Sequence, residues 1–131
     1  MAVRRRTLDS VGLFDERLGA GAAGCSEDSE FWYRILASGS VCAYVPAAAV
    51  HHYHREDAES LKQQIYAYMR GHVTALLIQF VNFRHWGNLH RILLELPLDY
   101  SEMLFRWTIC RDESQRPLFV GARGSAAGVW Y

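Results

Sequence analysis

The sequence predicts an α/β unit followed by a helical tail, and three observations carry that expectation. The first third, to about His54, is rich in turns and combines one amphipathic helix with short extended pieces. From about Asp57 onward, apolar residues recur at three- and four-residue steps, the period of a helix. With 131 residues, half of them hydrophobic, the chain can build a core without disulfides or a structural metal.

Thr7 is placed to cap a short helical turn over Leu8 to Val11, stopped by Gly12. Residues 18–26, LGAGAAGCS, hold three glycines and no large side chain after Leu18, the composition of a loop. Ser26 then reads as the N-cap of a helix with Glu27, Asp28 and Glu30 in its first turn, where carboxylates complement the dipole. Phe31, Trp32, Ile35 and Leu36 form the apolar stripe of that helix, and Gly39 closes it. Val41 to Val45 reads as a short strand ending at Pro46, with Ala49 to Tyr53 as a second extended piece. The long stripe Leu61, Ile65, Met69, Val73, Leu76, Leu77 and Phe80 predicts a helix to about Phe83. Trp86 to Leu96 is a second helical run, expected to break or kink at Pro97, and Tyr100 to Cys110 is a third. The final fifteen residues, with Gly121, Gly124 and Gly128, give no clear period.

Composition removes several classes of function. Fourteen basic and fourteen acidic side chains cancel, which argues against a nucleic-acid binder that works by displacing counterions. Cys25, Cys42 and Cys110 are widely spaced and form no C-x-x-C pair, so neither a disulfide framework nor a zinc ribbon is expected. A reduced, cytoplasmic setting follows as the expectation. No apolar stretch is long enough to span a bilayer, and the arginines near the N-terminus precede no hydrophobic leader segment.

Two clusters could carry chemistry. Ser26-Glu27-Asp28-Ser29-Glu30 sits where a glycine-rich loop meets a helix. Its plain structural reading is dipole stabilisation, and its functional reading is a general base aimed at a hydroxyl nucleophile. His51-His52-Tyr53-His54-Arg55 follows Pro46; in an extended segment His52 and His54 share a face. Two imidazoles there could ligate a divalent ion, or bind a phosphate together with Arg55, or simply decorate a loop. The eleven apolar-rich residues Val73 to Phe83 are too few to span a membrane; they are either core or a face laid into its interface.

The order of these pieces resembles the C-terminal half of a family-2 glycosyltransferase with the GT-A fold. The resemblance rests on Met1-Ala-Val-Arg-Arg-Arg, Val11-Gly-Leu-Phe-Asp-Glu, Leu18-Gly-Ala-Gly, Glu27-Asp28 with Phe31-Trp32-Tyr33-Arg34, and Ala37-Ser-Gly39. It continues through Tyr44-Val-Pro46-Ala, His52-Tyr-His54-Arg55, Gln64-Ile-Tyr-Ala-Tyr-Met-Arg-Gly71 and Arg123-Gly-Ser-Ala-Ala-Gly128, and it is strongest over residues 1–72. It implies residues 1–56 as the acceptor-side part of a GT-A domain and 57–131 as a C-terminal helical region packing on it, with possible contact to a membrane surface.

The resemblance further implies inverting transfer of a sugar from a nucleotide-diphosphate sugar to an acceptor hydroxyl, in the building of cell-envelope polysaccharide. Asp28 would be the catalytic base, and Glu27 would help position it or the acceptor. Gly21 and Gly24 would border the acceptor site, Trp32 would wall the sugar, and Arg55 would contact substrate. Arg34 is expected to brace the helix. His52, with His54 second, would be a ligand of a divalent cation, Mg²⁺ or Mn²⁺, that neutralises the diphosphate.

The D-x-D motif and nucleotide-binding βαβ half of such enzymes do not occur in this sequence. The chain is therefore expected to be a fragment with an incomplete metal site and no transfer activity alone. The alternative expectation is a non-catalytic interaction or membrane-surface module derived from such an enzyme, with Val73 to Phe83 as its adhesive face. A small metal protein built on His51, His52 and His54 is a more distant third. Peripheral contact with the inner membrane face and self-association are further expectations.

Overall fold

The computed structural model of the chain describes residues 2–51, 57–109 and 118–131. Six helices follow one another among these residues: α1 (Arg5–Val11), α2 (Glu27–Ala37), α3 (Ala58–Phe83), α4 (Trp86–His90), α5 (Leu96–Ile109) and α6 (Leu118–Val129). A single π-helical stretch, Arg91–Glu95, joins α4 to α5.

The expected α/β architecture is not what forms: the described residues contain helices and no strand. Residues 41–45 are unpaired, with Val41 94% and Tyr44 90% exposed. Val and Tyr favour a pleated, half-buried surface, but that preference is expressed only against a partner strand. No described segment offers a ladder. A partial GT-A sheet is therefore replaced by a helical assembly, and the second expected extended piece is unpaired as far as His51, its remainder lying outside the described residues.

Helix α3 is the central element. Asp57 caps it in extended conformation, its carboxylate accepting the Ser60 N–H at 2.7 Å. The helix ends at Phe83, where Arg84 turns left-handed and donates its N–H to the Phe80 carbonyl. Val73, Ala75, Leu76 and Ile78 are buried, so the first half of the Val73–Phe83 run is core rather than an adhesive face. Leu18 and Ala23 from the glycine-rich loop meet Ala75 and Ile78 in one cluster. Helix α2 contributes Phe31 and Ile35 to the interior. It closes as a Schellman motif: Gly39 at φ 80° donates to the Leu36 carbonyl and Ser40 to that of Ile35, at 3.0 and 3.2 Å.

Two local expectations are corrected. Helix α1 begins at Arg5, with Arg4 rather than Thr7 in the cap position, although it does end at Gly12. Pro97 does not break the chain. It lies in the first turn of α5, and the upstream π turn, in which the Leu96 N–H reaches the Arg91 carbonyl, absorbs the mismatch. The helices expected on either side of Pro97 therefore run on through it.

The glycine-rich end is a helix. Gly124 packs so closely on α3 that a Cβ there would lie 2.5 Å from the Tyr66 carbonyl oxygen and 3.0 Å from the Met69 Cβ. Gly128 presses equally on the Arg70 carbonyl, and its own carbonyl accepts the Thr74 hydroxyl at 3.1 Å. Tyr100 and Ser125 hydroxyls meet at 2.8 Å and tie α5 to α6.

A side chain at this glycine seam forces the two helices apart. Gly124→Val should lower unfolding stability by about 1–3 kcal/mol, the range for overpacking a well-fitted contact, read from urea melts. An unchanged denaturation midpoint would contradict the seam.

Candidate functional site

The site begins where the loop at 18–26 delivers the chain to α2. Arg70 on α3 donates to the Ala22 and Ala23 carbonyls at 2.6 and 2.7 Å, clasping that loop. One residue further along α3, Gly71 lies under Cys25: a Cβ on Gly71 would meet the Cys25 carbonyl oxygen at 2.5 Å and its nitrogen at 2.9 Å. Gly24 adopts φ 111° and a Cβ there would sit 2.9 Å from that of Ala67. Ser26 occupies the N-cap position but in left-handed conformation at φ 74°, and its hydroxyl makes no capping bond. It lies 3.3 Å from the Cys25 sulfur instead. Burial pushes the Cys25 thiol above its usual value, so it stays protonated near neutrality.

The three carboxylates of the first turn have separate fates. Glu30 is fully buried and takes both of its hydrogen bonds from Arg34 Nε at 2.9 Å. The same guanidinium donates to the Val11 and Leu13 carbonyls, so Arg34 braces α2 against the end of α1. Glu27 is half-buried against Gly19, and its Oε2 is sealed from solvent without a hydrogen-bond partner among the described residues. Asp28 is exposed. Its Oδ1 accepts the backbone N–H of Ser29 at 2.7 Å and the Ser29 hydroxyl at 3.3 Å, and no cation pairs with it among the described residues.

Asp28 opens onto a cleft of about 470 Å³ between residues 25–29 and Tyr68, Met69 and His72 of α3. The cleft therefore sets a carboxylate on one wall and an imidazole on the other. Burial, and after it the positive charge of Arg91, holds His72 below the ordinary imidazole pKa, leaving it neutral at pH 7. His72 was not among the residues the sequence singled out for chemistry. Its signal was a polar side chain four residues from Tyr68, beside the Gly71 contact.

The remaining expected site residues do not gather here. Gly21 is exposed in the loop, and Gly24 serves the contact with α3 one residue before the cleft wall. Trp32 lines a different opening, about 690 Å³, together with Arg4, Arg6, Ile35 and Val45. His52, His54 and Arg55 lie outside the described residues. Among the described residues no three His, Cys, Asp or Glu side chains converge as a metal site.

A loop-bordered cleft with an exposed carboxylate at a helix start can hold a hydroxyl and draw off its proton. The family model described as "Glycosyl transferase family group 2" matches residues 1–120. The chain belongs to this family, and its function is that of a glycosyltransferase-related domain. No curated protein and no solved structure matches the chain.

The neutral imidazole has a measurable consequence. Unfolding frees His72 to take up a proton near pH 6.5, which the folded protein resists. Its contribution to stability is intact above about pH 6.5 and is lost as the pH falls toward the lower folded-state value. The melting temperature of the wild type should fall more steeply between pH 7.5 and 5 than that of His72→Gln. Parallel profiles would place His72 in solvent.

Proposed function

We propose that the chain supplies the acceptor side of an inverting glycosyltransferase that uses a nucleotide-diphosphate sugar. The observation that carries the reading is Asp28: an exposed carboxylate without a cation partner among the described residues, at the mouth of a cleft, in a chain of this family. In this reading the acceptor sugar enters the cleft and one hydroxyl hydrogen-bonds to an Asp28 oxygen. The proton passes to that oxygen as the hydroxyl oxygen bonds to the anomeric carbon. The bond to the diphosphate breaks on the opposite face, inverting the configuration. Glu27, wedged under Gly19, holds the loop and the first turn of α2 in register for Asp28. A divalent cation shared with the donor-binding part, with His52 or His54 as one ligand, belongs to the same proposal. So does a cytoplasmic location.

Donor recognition in this reading lies outside the 131 residues, so the chain by itself turns over no nucleotide sugar with Mg²⁺ or Mn²⁺. When the chain is joined to a donor-binding half, Asp28→Asn should lower transfer at least 100-fold, within the usual range for general-base catalysis, while donor affinity measured by calorimetry changes little. Retained turnover would remove Asp28 from the base role.

A second reading, a membrane-surface module without catalysis, draws on the outer face of α5. Leu98, Phe105 and Ile109 are 65%, 58% and 66% exposed there, at helical spacing. No helix of the described residues is long and apolar enough to cross a membrane. A chain that sediments with liposomes, and stays inert toward nucleotide sugars even when joined to a donor-binding half, would favour this reading.

A further inference from the structure

The corner where α3 passes into α4 carries an ordered group of rings that the cleft does not use. Tyr33 of α2 lies over His85 with ring centroids 5.9 Å apart and planes at 26°, and its hydroxyl meets His85 Nδ1 at 3.0 Å. Phe83 stands edge-on to Tyr33 at 5.3 Å, and Trp86 edge-on to Phe80 at 5.1 Å. Arg84, left-handed at φ 54°, sets its guanidinium over the Phe80 ring at 6.0 Å. These rings fix one another and yet remain open: Trp86 is 67% and Phe83 43% exposed.

Arg84 is the cation beside them; further along, Arg91 and His90 are tied to Glu95 at 2.9 and 3.2 Å, and Arg70 is committed to the loop carbonyls. No carboxylate pairs with Arg84 or His85 among the described residues. An exposed aromatic cluster with hydrogen-bonding groups at the ring edges and an unneutralised cation beside it matches a particular ligand chemistry. The C–H face of a pyranose covers an aromatic ring, its hydroxyls meet Tyr, His and Arg, and a carboxylate on the sugar meets the guanidinium. An exposed apolar stripe at helical spacing, the form a lipid interface takes, lies elsewhere, on α5. Rings already locked by edge contacts lose little freedom on binding.

We propose that Tyr33, Phe83, Arg84, His85 and Trp86 form a binding platform for an acidic oligosaccharide, a uronate-bearing glycan, separate from the Asp28 cleft. The choice of a sugar rests on the chain's membership in a glycosyltransferase family, and nothing in it depends on the role of Asp28. Ser29, on the cleft wall, lies one helical turn before Tyr33 on α2, so the platform continues the same side of that helix.

The test is calorimetric titration of the 131-residue chain with hexagalacturonate, with cellohexaose and with phosphatidylglycerol vesicles, at low ionic strength. Saturable binding of hexagalacturonate is expected, at least tenfold tighter than that of cellohexaose. It should weaken at least tenfold in Trp86→Ala and in Arg84→Gln, and stay unchanged in Asp28→Asn. Arg84→Gln leaves the ring packing in place and decides the matter if Trp86→Ala melts early. Absence of saturable binding, equal affinity for cellohexaose, or undiminished binding by Arg84→Gln would overturn the platform. So would binding to vesicles alone, or loss of binding in Asp28→Asn. A failed platform with Asp28→Asn still blocking transfer leaves the transferase reading intact, and the reverse pair of results leaves the platform intact.

Discussion

The closest approach in the molecule that bears on function is the one between Gly71 and the backbone of Cys25. Helix α3 can lie directly under the chain there only because position 71 has no side chain. Arg70, its neighbour, fastens the two carbonyls just upstream, at Ala22 and Ala23. Together these contacts decide where the glycine-rich loop ends and therefore where α2 begins. The position of Asp28, three residues beyond Cys25, follows from them. Tyr68 and His72 flank the same stretch of α3, so one helix face both seats the loop and supplies the opposite wall of the cleft.

Within α2, the division of labour among carboxylates follows from helical geometry. Successive residues are turned by about 100°, so Asp28 cannot share the inward direction of Glu30. Glu30 goes inside and is neutralised by Arg34, an arrangement costly to break because either partner alone would be a buried, uncompensated charge. Asp28 goes outside, its Oδ1 accepting from Ser29 and its carboxylate open to the cleft. Glu27 falls between, with one oxygen buried against the loop. An acidic cluster that looks uniform in sequence thus resolves into a brace, a spacer and one accessible carboxylate.

How far the sequence could be read depended on whether the deciding forces were local. Helix α3 from Asp57 to Phe83, the body of α2 and its closure at Gly39 were legible, because capping, apolar period and a glycine C-terminus all act over a few residues. The brace by Arg34 was also expected. The strands were not realised, since Val41 to Val45 advertises a preference that only a partner could satisfy. Helix α6 was hidden for a related reason. Gly121, Gly124 and Gly128 weaken a helix in isolation, and the value of Gly124 and Gly128 lies in the close packing against Tyr66 and Arg70 that no local signal reveals. The π turn before Pro97 lets a helix continue where a break was expected. At the site, Asp28 and Glu27 were expectations of the resemblance, whereas the presence of Asp28 and His72 on one cleft depends on a contact between residues more than forty positions apart.

The account turns on α3 seating the loop and the start of α2, and hydrogen–deuterium exchange on Gly71→Ala tests this most directly. The added methyl meets the Cys25 backbone and should release it. The prediction is faster exchange across residues 18–30, with protection in α6 and the second half of α3 retained. Protection over 18–30 equal to that of the wild type would contradict the account, because the cleft would then owe its shape to something other than this contact.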